Sequence, residues 1–226
     1  RRQRQMCIRD SYASNNYDEH LLSLEYKGPE LLWKAFELSD KYQGLGDDRG
    51  KLMNLKVLEI GCGSGLVGKY FRSRGVGYNF EGCDLSPIMT KMATDAIFIK
   101  PDDPSNVDMV YSKVECVDAV SFLQGKRGET VDMVLGGDVL CYFGSLDDLF
   151  EAVAGSLVIG GVFIFTTEKM NDAELLEGSD GEGFVLRSSG RFAHSEEYIR
   201  ATTDRANLHV QRCERAILRM NNGEPV

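Results

Sequence analysis

The residues whose types and spacing are best suited to chemistry lie in one short run, Glu59-Ile60-Gly61-Cys62-Gly63-Ser64-Gly65. It follows an apolar run at residues 56–60 and precedes a segment of helical periodicity, so it reads as a strand-to-helix turn. Alternate glycines accept backbone angles that other residues resist. They also let the chain pass close to a ligand beside a helix N-terminus. Gly63-Ser64-Gly65-Leu66-Val67-Gly68 matches the GxGxxG dinucleotide pattern letter for letter. Two features argue against NAD, and so against an NAD-dependent oxidoreductase. The strand would have to include Gly61 and Cys62, which are poor strand formers, and Glu59 would confront a pyrophosphate with a negative charge. A ligand bearing an ammonium group would welcome that charge.

A second acid stands at Asp84, roughly 20 residues after the glycine loop, at the end of a strand-like run over residues 78–83. A carboxylate there can accept from both hydroxyls of a ribose. Ser86 and Pro87 then open a helix, with Ser86 as N-cap and Pro87 at the first position. The alternative makes Asp84 part of that cap.

The elements that must hold these groups follow from periodicity. Apolar residues recur at helical spacing from residue 17 to 42, and Gly28-Pro29 divides them into two helices. Residues 43–51 read as a loop. Strand-like runs then occupy 56–60, 78–83, 109–114, 131–135 and 161–167. Helical runs lie between them at 65–74, 87–96, 119–123 and 146–157, and a last helix at 195–206. Residues 208–218 have strand character. Alternating strands and helices imply an α/β fold with a parallel sheet. The polar stretch 169–190 has no assigned element, and its part at 177–190 is expected to be a mobile loop. Two units are expected: an N-terminal extension and helical cap over 1–50, and a ligand-binding domain over 51–226.

At this point the chain resembles a known family. Residues 57–66, 82–87, 117–119, 131–142 and 160–167 resemble the ordered motifs of class I S-adenosylmethionine-dependent methyltransferases, across roughly residues 50 to 218. Tyr12-Ala13, the cap residues 17–32, Asp138-Val139-Leu140-Cys141-Tyr142-Phe143-Gly144 and Gly190-Arg191-Phe192-Ala193-His194-Ser195 are similar to a subgroup often fused to tetratricopeptide repeats. No such repeat is visible here, and fusion to other domains is expected in a longer polypeptide. The chain opens on Arg1-Arg2-Gln3 rather than Met, which also suggests a longer polypeptide.

The resemblance implies S-adenosyl-L-methionine as cofactor and a Rossmann-like sheet with helices on both faces. It places Glu59 at the methionine ammonium, and Gly61, Cys62, Gly63 and Gly65 along the methionine and ribose. Asp84 would hold the ribose hydroxyls, Leu85 would pack on the adenine, and Asp118, with Val117 beside it, would meet the adenine amine. Asp118 reads equally as a helix N-cap. Asp138 would stand near the transferred methyl, with Val139 and Leu140 on the pocket wall. The family's seventh strand runs antiparallel between the fifth and sixth. Here the sixth is expected near 210–218, and the Asn221-Asn222-Gly223 turn leaves only three residues for the seventh, which is therefore expected to be truncated.

A carboxylate or thiolate acceptor needs no base, whereas a hydroxyl or carbon acceptor does. The candidate catalytic groups are Asp138, His194 and His20, with a packing role as plausible for either histidine. His209 reads as structural. Asp138-Val139-Leu140-Cys141 stands where amino-group methyltransferases carry an NPPY-like tetrapeptide, which disfavours methylation of bases or glutamine. The acceptor expected is a small molecule or a protein. A SAM-binding regulatory or scaffold module without turnover is the alternative.

Bulk properties set the remaining bounds. The net charge of −9 over 226 residues repels phosphate backbones, so duplex nucleic acid is not expected as substrate. The 6 cysteines form no CxxC, so they read as reduced thiols of a cytoplasmic protein, and no metal is expected. No apolar run reaches the length of a membrane span.

Overall fold

The computed structural model describes residues 17–221 and 224–226, apart from residues 47, 78, 101, 102 and 177–181. Its centre is a parallel sheet of β1 (Val57–Ile60), β2 (Phe80–Asp84), β5 (Lys113–Cys116), β6 (Val131–Gly136) and β7 (Leu157–Phe165). The strands run in the order β5-β2-β1-β6-β7. The chain leaves β1 toward one edge and later returns to its other side at β6. The crevice beyond the carboxyl ends of β1 and β6 is thus the topological switch point, where open α/β sheets bind ligands.

Alternation along the strands sorts their side chains into two cores. Val57, Met133 and Leu135 pack with Trp33, Phe36 and Phe71. These aromatics come from α2 (Gly28–Glu37) and α5 (Leu66–Ser73). Leu58, Ile60, Val131 and Val134 pack on the opposite face with Phe122, Leu149 and Phe150. That face is covered by α7 (Ala119–Gln124), α8 (Asp147–Ser156) and α10 (Glu196–Arg205). A sheet covered on both faces reads as continuous apolar runs, and that is why the short strands were legible. Glu59 has the parity of Val57, so the sheet sends it toward α5.

The helices start where the sequence signals them. Pro29 lies in the first turn of α2, and Ser86 accepts from the Met89 N–H at 3.3 Å to cap α6 (Pro87–Thr94). Ser195 caps α10 by accepting from the Tyr198 N–H at 3.1 Å. Before α2, the short helix α1 (Tyr17–Ser23) lies over the glycine loop. Among the described residues, no helix is long and apolar enough to cross a membrane.

Four expectations are corrected. Residues 109–114 are not one strand: β3 (Ile97–Lys100) and β4 (Asp103–Met109) form an antiparallel hairpin, and β5 starts afresh at Lys113. Between them Tyr111 turns inward and is buried. The loop at 43–51 is interrupted by α4 (Arg49–Met53), which Asp48 caps by accepting from the Gly50 N–H at 2.9 Å; α3 (Asp40–Gln43) precedes it. The polar stretch 169–190 is structured: β8 (Glu168–Lys169), β9 (Phe184–Leu186) and β10 (Phe192–His194) form a small sheet, with α9 (Asp172–Leu176) between β8 and β9. Of the expected mobile loop, residues 177–181 lie outside the described residues.

The fourth correction concerns the sixth strand. Residues 208–219 carry no strand, and β7 is the edge of the five-stranded sheet. Gln211, Arg212, Glu214 and Arg215 keep this segment at the surface, with residues 211–217 exposed. The turn signal at 221–223 does join an antiparallel pair, β11 (Met220–Asn221) and β12 (Glu224–Pro225), but this pair stays apart from the central sheet. Residues 222 and 223 themselves lie outside the described residues.

Candidate active site

The glycine loop adopts the conformations its composition predicts. Gly61 has φ 64°, and a Cβ there would lie 2.4 Å from Val139 Cγ2. Contact between the β1 and β6 loops is thus as close as backbone allows. Gly63 has φ 55°, and among the described residues a Cβ there would meet nothing nearer than the Tyr17 hydroxyl at 3.8 Å. That space lies between the loop and α1. Ser64 Oγ donates to Asp18 Oδ1 at 2.5 Å, which holds α1 over the loop.

Asp84 is buried beneath the same loop. One carboxylate oxygen accepts from the Gly63 N–H at 3.1 Å and the other from the Ser86 N–H at 2.9 Å. Each oxygen keeps a further lone pair. The helix cap itself is Ser86, so Asp84 ties the glycine loop to the end of β2 instead. Leu85 is half exposed beside it, an apolar side chain without cover. Cys62 is buried, and its N–H donates to the Cys83 carbonyl at 2.9 Å, joining the two strand ends.

Glu59 is only 2% exposed. The Tyr111 hydroxyl donates to its Oε2 at 2.8 Å, and the Gly68 N–H of α5 also donates to it. Burial pushes its pKa up to about 8; the Asp84 charge adds to this, and the two hydrogen bonds oppose it. Burial, with Glu59 close by, likewise pushes the Tyr111 hydroxyl well above its ordinary range. At neutral pH the pair therefore holds a proton on Glu59. The folded chain keeps this proton up to about pH 8, whereas an unfolded glutamate releases it near 4.5. Stability tied to the proton is present below pH 4.5 and lost as pH rises toward 8. Glu59→Gln, which is neutral at every pH, is expected to raise the melting temperature relative to wild type at pH 8.5 and much less at pH 5. Equal differences at both pH values would refute the assignment.

Asp118 is the N-cap of α7, accepting from the Ser121 N–H at 3.0 Å. Partial burial would raise its pKa, but hydrogen bonds from Ser121 and Val120 outweigh burial and hold it below the usual carboxylate range. Val117 is half-buried and packs on the core.

The end of β6 carries a cluster that the sequence did not reveal. Asp138 is a non-glycine residue at φ 54°, held there by its N–H donating to Thr166 Oγ1 at 2.9 Å. Its Oδ1 accepts from Arg191 and from Arg219, the latter at 2.7 Å. Glu168 Oε1 accepts from the same two arginines, at 2.5 Å from Arg191 and 3.0 Å from Arg219, and its Oε2 accepts from Arg187 at 2.9 Å. Burial would raise the Glu168 pKa, but Arg191 and Arg219 outweigh it and hold it low. Arg191 also donates to the Tyr142 hydroxyl at 2.8 Å. The thiol of Cys141 lies beside Asp138; burial and the Asp138 charge push it far above its ordinary range. Tyr26 points its hydroxyl toward Gly137, and burial with Asp138 nearby holds it protonated.

Three ligating atoms, one each from Asp138, Cys141 and Glu168, lie within 4.8 Å of one another, a grouping that no local spacing could show. The guanidiniums already occupy the carboxylates, which makes it an ion-pair network. Of the histidines, His194 is buried with both ring nitrogens engaged, Nδ1 with Thr167 Oγ1 at 2.8 Å and Nε2 with the Gly144 carbonyl at 3.0 Å. Nε2 must carry the proton, and burial holds the ring pKa low. Both nitrogens are thus engaged within the fold. His20 lies exposed on α1.

The structure thus brings Gly61 against Val139 and Gly63 against Asp84 at the strand ends, with Asp138 next to Val139 and Glu59 below in β1, while Gly65 faces Tyr111 and Ala96. The fold is an open α/β sheet with its topological switch point at the carboxyl ends of β1 and β6. Residues 31–212 match the methyltransferase domain family, and the chain belongs to it. Solved structures of similar fold include a Haloferax volcanii methyltransferase in complex with the Trm112 methyltransferase activator (TM-score 0.56, 19% identity, 90% of this chain and 77% of that one). An S-adenosylmethionine-dependent methyltransferase from Mesorhizobium loti is also similar (TM-score 0.52, 18% identity, 74% and 80%). One from Archaeoglobus fulgidus has TM-score 0.50 and 15% identity, with 74% of this chain spanning 66% of that one. No curated protein matches the chain in sequence.

Proposed function

We propose that this domain binds S-adenosylmethionine between the Gly61–Gly65 loop and Asp84, in the cytoplasm, and methylates a small-molecule or protein acceptor. The observation that carries the reading is the space that the described residues leave above Gly63, bounded by a buried carboxylate with lone pairs to spare. When bound, the cofactor supplies an electrophilic methyl group, and the protein supplies alignment and exclusion of water. Asp84 is suited to the ribose hydroxyls and Leu85 to a flat base. Glu59 lies under the loop and holds its proton at neutral pH, so it would reach an ammonium only through the loop carbonyls or water. Asp138 and Val139 border the end where the methyl would lie.

Asp84→Asn tests this reading by calorimetry with S-adenosylhomocysteine. A hydrogen bond donated to a charged carboxylate is worth about 1.5–3 kcal/mol, so affinity is expected to fall about 10–100-fold. NADH is expected to give no heat with either protein. Unchanged affinity would remove Asp84 from the site. The double ion pairing of Asp138 also suits a domain that holds the cofactor without turnover, and release of S-adenosylhomocysteine separates the two readings.

A further inference from the structure

We infer that the acceptor is a small molecule with a free carboxylate, which becomes a methyl ester, and that Arg191 receives that carboxylate. The inference rests on the function proposed above and names its substrate class.

The titratable groups at the end of β6 are locked. Asp138 and Glu168 are each bound by Arg191 and Arg219. His194 has both nitrogens engaged, and the Cys141 thiol and Tyr26 hydroxyl are held protonated by burial. Glu59 sits under the glycine loop with Tyr111, on the α5 face of the sheet. An ammonium or an alcohol must lose a proton to attack, and these groups at the end of β6 offer no ready place for it; His20, the candidate base on α1, lies exposed outside this cluster. A thiol, with an ordinary pKa near 8.5, arrives mostly protonated and meets the same obstacle. A carboxylate arrives ionised. Its oxygen forms a bond to the methyl carbon as the carbon–sulfur bond breaks, and the electron pair of that bond stays on sulfur. The negative acceptor and the positive sulfonium become a neutral ester and a neutral thioether, and no proton moves.

The same cluster offers the cation such an acceptor needs. The Arg191 side chain remains 16% exposed. Its Nε donates to Glu168, one Nη to Tyr142 and the other to Asp138. Each Nη carries a second N–H beyond the one given to Tyr142 or Asp138, and these are the donors an acceptor carboxylate would meet. The cluster is overhung: residues 218 and 220, which flank Arg219, are hydrogen-bonded to Lys27 and Leu24. This roof favours a small molecule over a folded protein surface.

The test uses the whole protein loaded with S-adenosylhomocysteine. Its probes are a mixture of small aliphatic and aromatic carboxylic acids and the matched primary amides, observed by saturation-transfer NMR. The acids are expected to bind and the amides not. Arg191→Gln is expected to weaken acid binding at least ~10-fold with S-adenosylhomocysteine affinity unchanged, and Arg191→Lys to restore part of it. In a second arm, methyl-labelled S-adenosylmethionine is supplied with the acids and the product is treated with alkali. Release of labelled volatile methanol supports the inference. Alkali-stable label, or amides binding as well as acids, overturns it and leaves methyl transfer standing. Wild-type protein that binds neither form of the cofactor overturns the proposed function and this inference with it.

Discussion

Gly63→Val is expected to abolish binding of S-adenosylmethionine and S-adenosylhomocysteine while leaving the central sheet formed. The residue stands at φ 55°, a left-handed conformation that costs a branched side chain about 1–2 kcal/mol. Strain alone would lower stability without closing the site. The larger effect is position: a Cβ here points into the space under Tyr17, and two γ-carbons would fill what the proposed ligand must occupy. Gly46→Ala isolates the strain, because Gly46 has φ 61° and no described residue lies within 4 Å of a Cβ there. Gly46→Ala should lower the melting temperature and keep full affinity, while Gly63→Val should lose at least ~100-fold, about 2.7 kcal/mol. Wild-type heats from Gly63→Val in calorimetry would show that the loop is not the site.

The glycine loop and Asp84 were legible because everything that defines them is local. A strand end, three glycines, a helix start and an acid at the next strand end are fixed by a few bonded neighbours. The Asp138 cluster was not legible, because it joins groups far apart in the chain: Arg191 lies 53 positions from Asp138, and Arg219 lies 81. Periodicity carries no record of which charges meet. Asp138 itself was singled out, but its two arginines make it an ion-pair partner first. His194 was read as an open choice between base and packing group. The two hydrogen bonds on its ring suit the packing role, and both partners come from distant loops. Tyr111 was hidden in an apolar run that looked like one strand, and its hydrogen bond to Glu59 spans 52 positions. The sixth strand failed for a different reason. Residues 208–218 alternate well enough to suggest a strand, but their polar members hold the middle of the segment in solvent. Only its end turns inward, where Leu218 and Arg219 are buried.

That buried end leads to the second large effect. Arg219 is 6% exposed and bridges Asp138 and Glu168. The backbone on either side of it is tied to the N-terminal cap, with the Lys27 N–H donating to the Leu218 carbonyl at 2.8 Å and the Met220 N–H to the Leu24 carbonyl at 2.7 Å. One side chain therefore anchors a strap that holds the roof of the crevice to its floor. Removing one partner of a buried ion network leaves charges uncompensated and costs about 3–5 kcal/mol, a large share of the stability of an ordinary domain. Asp138 and Glu168 keep Arg191, which places Arg219→Met at the lower end of that range. Arg219→Met is expected to lower the melting temperature and to speed amide exchange at residues 17–27 and 218–220 together, because the strap and the cap share their hydrogen bonds. Arg219→Lys keeps the charge but lacks the fork that reaches both carboxylates, so it should fall between the two. If S-adenosylhomocysteine binds under α1 as proposed, it should slow exchange over residues 17–26 in wild type and less in Arg219→Met, where the roof has lost its tie to the floor. If residues 24–27 exchange at the wild-type rate in Arg219→Met, the roof is held by its own packing and the ion network is confined to the floor of the site.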